Sequence, residues 1–206
     1  MTDAAVPTVH IVDDDAAVCD ALGCLLEVAG FSVATHGTAL HFLAHCPPEA
    51  AGCVVADLRM PGMDGIALQT EMMRRGYGMP IILISAHGDV SSAVGALRAG
   101  AVDFLEKPFD EGVFISRIDE ALQRDAAQRR QQAEVASACA LLQRLSARER
   151  EVAAQMIEGH ANKIIADHLS ISVRTVETHR ANLLDKLGIR TLPELVRLWL
   201  QAAGGN

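Results

Sequence analysis

The chain has 206 residues, of which 50% are hydrophobic, 21% are charged and only 3% are aromatic. This length suits two small domains, and the composition excludes intrinsic disorder, collagen or a coiled-coil fibre for the chain as a whole. The scarcity of aromatic rings argues against nucleic-acid binding by base stacking. The formal net charge of −8 is unevenly divided. Residues 1–123 hold 17 acidic and 6 basic side chains, whereas residues 124–206 hold 9 acidic and 12 basic ones. Only the second part suits a polyanionic partner.

No apolar run approaches the roughly 18 residues that a membrane-spanning helix needs, and the first residues lack the pattern of a secretory signal. We therefore expect a cytoplasmic protein with no membrane partner. The five cysteines include no C-x-x-C pair, so neither a disulfide framework nor a zinc site is indicated. Buried, unreactive thiols are expected, with redox sensing by one of them as the alternative.

The first 120 residues alternate short apolar runs with longer segments of helical periodicity. Runs without apolar/polar alternation are typical of strands that are buried on both faces of a parallel sheet. This pattern predicts an α/β fold, a doubly wound (βα)5 sheet, in which Asp15 is the N-cap of the first helix and Gly30 follows its end. The predicted strands are residues 9–12, 31–34, 53–56, 81–84 and 102–105.

Residues 110–145 contain almost no proline or glycine, which predicts a largely helical segment. We assign residues 1–123 to the α/β domain and residues 124–141 to a helical linker, with disorder near 129–134 as the alternative. Residues 142–206 predict an all-α domain of four short helices. Their ends are marked by two capping-box patterns and by helix-opening or helix-closing residues: Ser146 with Glu149, Thr191 with Glu194, Gly159, Ser172 and Gly188.

Polar side chains follow four of the predicted strands. Asp13 and Asp14 follow the first, Asp57 ends the third, Ser85 ends the fourth and Lys107 follows the fifth. The carboxyl ends of parallel strands form one edge of the sheet, where such folds hold their sites. Three carboxylates would repel each other there unless a cation lay between them, and hard oxygen ligands suit Mg²⁺.

A carboxylate beside Mg²⁺, an ammonium and a hydroxyl is a suitable phosphoryl acceptor, and Asp57 is the predicted one. The metal and Lys107 would neutralise the transferred oxygens, and Ser85 would hydrogen-bond one of them. Taken singly, the DDD run also fits a solvated turn, and a strand-end lysine or serine is often plain surface. Their occurrence in order at four strand ends favours the site.

The motifs VHIVDDD, ADLRMPGMDG, ILISAHGD and DFLEKPF resemble the receiver domain of two-component response regulators over about residues 6–124. The resemblance implies a flavodoxin-like fold in which a sensor histidine kinase phosphorylates Asp57. It also implies that Asp14, Asp57 and the main-chain carbonyl of Arg59 bind Mg²⁺ directly, and that Asp13 acts through water.

The same resemblance implies a conformational switch. Lys107 would precede a cis Pro108, phosphorylation would draw Ser85 inward, and Phe104 on the fifth strand would repack. From its own position Phe104 would be an ordinary core residue, and only the resemblance gives it this role.

Residues 162–189 have the layout of a helix-turn-helix: a short helix, a turn at 169–171 and a longer helix opened by Ser172. Apolar residues at helical spacing predict the inner face of the longer helix: Val173, Val176, Leu183, Leu184 and Leu187. Two polar faces remain, one predicted to meet base edges in a major groove and the other phosphates. The first set is Arg174, Glu177, Thr178 and Ala181, and the second is Thr175, His179, Asn182 and Lys186.

Basic side chains add to this predicted DNA surface, namely Lys163, Arg174, Arg180, Lys186 and Arg190. The alternative is a merely solvated surface, which a net charge of +1 over residues 146–206 does not exclude. Glu177 would either accept from a cytosine amino group or be a solvated spectator. One such domain would make few phosphate contacts, so a dimer on two half-sites is expected.

The motifs LSAREREV, NKIIADHL and VRTVETHRANLLDKLGI resemble the LuxR-type DNA-binding domain over about residues 142–204, and the whole chain is similar to the NarL/FixJ family. The resemblance implies a transcription regulator that dimerises on phosphorylation through residues 89–106 and binds promoter DNA, with RNA polymerase as a further partner. Beyond self-phosphorylation from a phosphodonor and self-dephosphorylation, no enzymatic activity is expected. Two alternatives remain, a Mg²⁺-dependent phosphatase using Asp57 and an adaptor that only docks partners.

Overall fold

The computed structural model describes residues 6–86 and 103–204. The chain divides into two compact units, residues 1–129 and 130–206. Most of the predicted dimer segment, residues 89–102, lies outside the described residues. The helix predicted for residues 124–141 is present, but the assignment of these residues as a linker between the two domains stays a prediction.

The first unit contains a five-stranded, fully parallel sheet in the order β2-β1-β3-β4-β5. This confirms the doubly wound fold, with β2 displaced by one or two residues from its prediction. The strands are β1 (Thr8–Val12), β2 (Ser32–His36), β3 (Gly52–Asp57), β4 (Ile81–Ser85) and β5 (Asp103–Glu106).

Helices pack on both faces of this sheet, which explains the continuous apolar strands. The first three are α1 (Ala16–Val28), α2 (Ala39–His45) and α3 (Gly65–Arg74). Neighbouring residues of β3 enter opposite cores: Val54 packs in the cluster that contains Phe42, and Val55 in the cluster that contains Phe114. The predicted cap of α1 is confirmed, because the Asp15 side chain accepts a hydrogen bond from the Ala17 amide.

Helix α4 (Glu111–Gln143) runs without a break through residues 129–134. Its first part is fixed to the sheet by Asp125, whose buried carboxylate accepts hydrogen bonds from the Gly52 amide at 3.0 Å and the Arg129 guanidinium at 2.7 Å. Arg129 also donates to the carbonyls of Glu49 and Ala50. The start of β3 is thereby tied to α4, although 73 residues separate Gly52 from Asp125.

The second unit is helical, as predicted, with α5 (Ala147–Ile157), α6 (Asn162–Leu169), α7 (Val173–Leu187) and α8 (Leu192–Ala203). Both predicted capping boxes are present. The prediction that Val173 belongs to the inner face of α7 is wrong: its side chain is 40% exposed. As the first residue of the helix, Val173 precedes the part that packs into the core through Val176, Leu183 and Leu187.

Cys19, Cys46 and Cys53 are buried, and burial raises the pKa of Cys46 to about 11 and that of Cys53 to about 12. The expectation of buried thiols is wrong for Cys24, which lies on the exposed side of α1. No helix in the described part of the chain is both long and apolar enough to cross a membrane.

Candidate functional site

The carboxyl edge of the sheet brings three of the predicted site residues together. Asp13 directly follows β1, Asp57 is the last residue of β3, and Lys107 directly follows β5. The Lys107 ammonium donates to Asp13 Oδ2 and to Asp57 Oδ1, in both cases at 3.0 Å. The two carboxylates, 44 residues apart in sequence, therefore share one cation.

Main-chain amides hold the other oxygen of each carboxylate. The Arg59 amide donates to Asp57 Oδ2 at 2.7 Å, and the Asp15 amide donates to Asp13 Oδ1 at 2.9 Å. Burial alone would lower the pKa of Lys107, but its hydrogen bonds to Asp57 and Asp13 outweigh that effect and raise it. The Lys107 ammonium thus lies between two acidic side chains that are already oriented by backbone donors.

The remaining predicted residues of the receiver surround this pair. Ser85, 2% exposed, follows Ile84, which is in register with Asp57, and the Ser85 carbonyl accepts from the Lys107 amide at 2.7 Å. Phe104 is partly buried and packs against the core cluster on one face of the sheet. The predicted cis peptide between Lys107 and Pro108 is present.

Asp14 and Arg59 are exposed at the same edge. In residues 6–86 and 103–204, no three His, Cys, Asp or Glu side chains form a ready-made metal cluster, so the predicted three-carboxylate cluster is not assembled as it stands. The donor set nevertheless fits Mg²⁺, because each oxygen of Asp13 and Asp57 accepts one hydrogen bond and keeps a second lone pair. The position of Lys107 between them demonstrates that the edge accommodates positive charge.

Gly65, at the start of α3, is a site residue that sequence reasoning missed. A Cβ at this position would lie 2.7 Å from the Asp57 carbonyl oxygen and 3.2 Å from the Leu58 Cα. The Gly65 amide also donates to the Leu58 carbonyl at 3.0 Å. Helix α3 therefore approaches the end of β3 so closely that only glycine fits, and the one available signal was the glycine that closes the ADLRMPGMDG motif.

In the second unit, the predicted base-reading face of α7 is free of the core. Arg174, Glu177, Thr178 and Ala181 are all exposed, and the Thr178 hydroxyl donates to the Arg174 carbonyl at 3.0 Å. The predicted phosphate face is less uniform. Asn182 is exposed, whereas Thr175, His179 and Lys186 are partly buried. Of the basic residues predicted to add to this surface, Lys163 is exposed and Arg180 is partly buried.

Two residues of the phosphate face have partners inside the unit. The Thr175 hydroxyl is 2.8 Å from that of the helix cap Ser172. The Lys186 ammonium lies 2.7 Å from Oε2 of Glu149, a residue of α5 whose side chain is only 5% exposed. Phosphate contact by Lys186 thus stays a prediction, and its charge is already paired.

Residues 9–119 match the response regulator receiver domain family, and residues 143–199 match the bacterial regulatory proteins of the luxR family. The transcriptional regulatory protein FixJ of Azorhizobium caulinodans is 45% identical over 94% of this chain and 92% of its own length. Two solved structures are similar. The response regulator StyR has 43% sequence identity and a TM-score of 0.88, and the match covers 96% of this chain and 100% of that one. Full-length FixJ from B. japonicum has 41% sequence identity and a TM-score of 0.60, and the match covers 98% of this chain and 100% of that one. Proteins of this architecture are transcription regulators rather than classical enzymes. The chain belongs to the response regulators of two-component systems in which a receiver domain precedes a LuxR-type DNA-binding domain, the NarL/FixJ family.

Proposed function

We propose that Asp57 accepts a phosphoryl group from a sensor histidine kinase and that this modification controls binding of promoter DNA in the cytoplasm. The observation that carries the proposal is the Lys107 ammonium, held 3.0 Å from both Asp13 and Asp57. Asp57 is the better acceptor of the two because its side chain is 14% exposed, against 3% for Asp13. The incoming phosphorus can therefore reach Asp57, while Asp13 keeps Lys107 in place.

The residues around Asp57 have separate roles in transfer. The Arg59 amide orients the carboxylate through Oδ2, so that Oδ1 faces Lys107 and the open side of the edge. Lys107 offsets the negative charge of the phosphoryl oxygens. Ser85 would then hydrogen-bond one of these oxygens, and Phe104, in register with Leu83 on the neighbouring strand, would repack. This movement is the proposed switch.

Receiver domains bind Mg²⁺ at the phosphorylation site. Here Asp13, Asp14, Asp57 and the main-chain carbonyl of Arg59 would hold the ion. When bound, it would supply positive charge to the phosphoryl oxygens in addition to that of Lys107. Asp14, exposed beside Asp13, is free to turn toward such an ion. The same arrangement would support self-phosphorylation from a small phosphodonor.

The acceptor is tested by incubating the full chain with a small phosphodonor and Mg²⁺ and measuring covalent phosphate by intact mass. Asp57→Asn should abolish the added mass, whereas Asp119→Asn, an exposed acid on α4, should leave it unchanged. Undiminished covalent phosphate in Asp57→Asn would reject the acceptor. Rapid turnover of an added phosphoester would instead favour the phosphatase alternative.

For the second unit we propose that α7 enters a major groove and presents its exposed face to the bases. Exposure of all four predicted base-reading residues supports this. Since the unit offers few unpaired basic side chains, the proposed active form is a homodimer on two half-sites, from which RNA polymerase could be engaged.

DNA binding is tested by titrating a mixed-sequence duplex at several salt concentrations. Arg174→Ala should weaken binding, while Arg124→Ala, an exposed arginine of α4, should not. Changes at Thr178 or Glu177 should alter sequence preference instead, once a target is selected. Binding that is absent, or independent of salt, would favour the adaptor alternative.

A further inference from the structure

The first turn of α5 carries a buried acid that has no place in the functions above. Glu149 is the third residue of α5, and its Oε2 accepts hydrogen bonds from the Ser146 amide at 2.8 Å and the Lys186 ammonium at 2.7 Å. Lys186 belongs to the last turn of α7, 37 residues further along the chain. The Glu149 carboxylate therefore caps the start of α5 and also binds the last turn of α7 through Lys186.

We infer that Lys186 is a positioning residue for the DNA-reading helix and that its partner is Glu149 rather than a DNA phosphate. This inference rests on the proposed function, namely that α7 contacts DNA. The pair fixes the end of α7 on α5 and so sets the direction in which Arg174, Glu177 and Thr178 project. Neither Glu149 nor Lys186 touches the nucleic acid in this arrangement.

The charges favour this pairing over a phosphate contact. A carboxylate that is 5% exposed and loses its cation is left as an unpaired buried charge, which is strongly unfavourable. The hydrogen bond from Lys186 lowers the pKa of Glu149 to about 2, so the acid is ionised throughout the neutral range. Turning Lys186 outward to a phosphate would leave this ionised carboxylate without its cation.

The residue before Glu149 supports the same conclusion. Arg148 donates from its guanidinium to the Leu169 carbonyl at the end of α6, and also pairs with Glu151 at 2.6 Å. Consecutive residues of α5 thus hold the end of α6 and the end of α7. Because these two helices form the helix-turn-helix, the first turn of α5 fixes the angle between them.

The test measures the affinity of the full chain for a mixed-sequence DNA duplex as a function of salt concentration. Each phosphate contact contributes about 0.9 to the slope of log K against log salt. Lys186→Gln should weaken binding while leaving this slope unchanged. Lys163→Gln, at an exposed basic residue of the predicted DNA surface, should lower the slope by about 0.9. Lys186→Arg, which can still reach Glu149, should restore most of the affinity.

For Glu149→Gln, a purely electrostatic effect and a positioning role predict opposite changes in DNA affinity. On charge alone, loss of a negative group near DNA would tighten binding, whereas loss of a positioning residue weakens it. Tighter binding by Glu149→Gln, or a slope in Lys186→Gln lowered by about 0.9, would overturn the inference. Should Glu149→Gln unfold, which fluorescence of the single tryptophan, Trp199, reports, the slope of Lys186→Gln decides alone.

The outcomes also separate this inference from the proposed function. If the wild-type chain binds DNA with a salt-dependent affinity that Arg174→Gln reduces, the DNA surface stands and the Lys186 slope tests the positioning role. If the wild-type chain shows no salt-dependent binding, the proposed DNA-binding function is refuted, and so is the positioning role that rests on it.

Discussion

Replacing Gly65 with alanine tests how tightly α3 is packed against the candidate acceptor. The new Cβ would lie 2.7 Å from the Asp57 carbonyl oxygen and 2.7 Å from Leu83 Cδ2. Ordinary van der Waals contact begins near 3.4 Å, so α3 or the end of β3 must move by about 0.7 Å. The Leu83 methyl can turn away, but the carbonyl is main chain and cannot.

Overpacking of this kind costs about 1–3 kcal/mol, and the lower backbone entropy of alanine in the unfolded chain returns at most about 1 kcal/mol. If the full 1 kcal/mol is returned, a clash that costs about 3 kcal/mol leaves a net loss of about 2 kcal/mol, which would lower the melting temperature of the first unit by about 8 °C. Since the clash displaces the Asp57 main chain itself, phosphorylation by a small phosphodonor should also slow.

Gly37→Ala is the matched control, because a Cβ there meets nothing within 4 Å and its φ is not in the left-handed region. It should melt at or slightly above the wild-type temperature and be phosphorylated at the wild-type rate. Calorimetry and a time course of covalent phosphate compare the two variants. Equal melting temperatures and equal rates for Gly65→Ala and Gly37→Ala would refute the reasoning.

Two further predictions concern the first unit. Asp125→Ala leaves the Gly52 amide and the Arg129 guanidinium without their buried partner, so the free energy of unfolding in urea should fall by about 1–3 kcal/mol, while Asp119→Ala should change it little. His36 has a pKa lowered to about 4 by burial and by neighbouring histidines. Its folded form stays neutral while the unfolded form takes a proton below about pH 6.5, so stability should fall between pH 6.5 and 4. That slope should shrink in His36→Asn but not in His168→Asn, whose ring is exposed in the second unit, as followed by circular dichroism. Identical slopes in the wild type and both variants would contradict the pKa argument.

Features governed by near neighbours in the chain were predictable. The caps at Asp15, Ser146 and Thr191 each depend on a side chain and an amide two or three residues away, and all three are present. The parallel sheet followed from apolar runs that need helices on both faces. The meeting of Asp13, Asp57 and Lys107 then followed from the rule that parallel strands end at one edge.

Features that depend on distant packing were not predictable from spacing alone. Helical periodicity places Lys186 on a polar face of α7 but does not reveal that Glu149 lies opposite it. The same periodicity assigns Val173 to the inner face, although the contact of this helix with the core begins only at Val176. Cys24 looked like a core thiol only by residue type, and the side of α1 on which it lies turns to solvent.

The pairing of Lys186 with Glu149 changes the electrostatic argument for DNA binding. Residues 146–206 carry 8 basic and 7 acidic side chains, so each basic group with an internal partner reduces what remains for phosphates. With Lys186 paired and Arg174 assigned to the bases, the cations of the predicted DNA surface that remain for phosphates are Lys163, Arg190 and the partly buried Arg180. Three phosphate contacts correspond to a slope of only about 2.7 in log K against log salt. A single unit is therefore expected to bind DNA weakly, and a second copy that doubles these contacts is what would make the proposed phosphorylation-controlled dimerisation an effective switch.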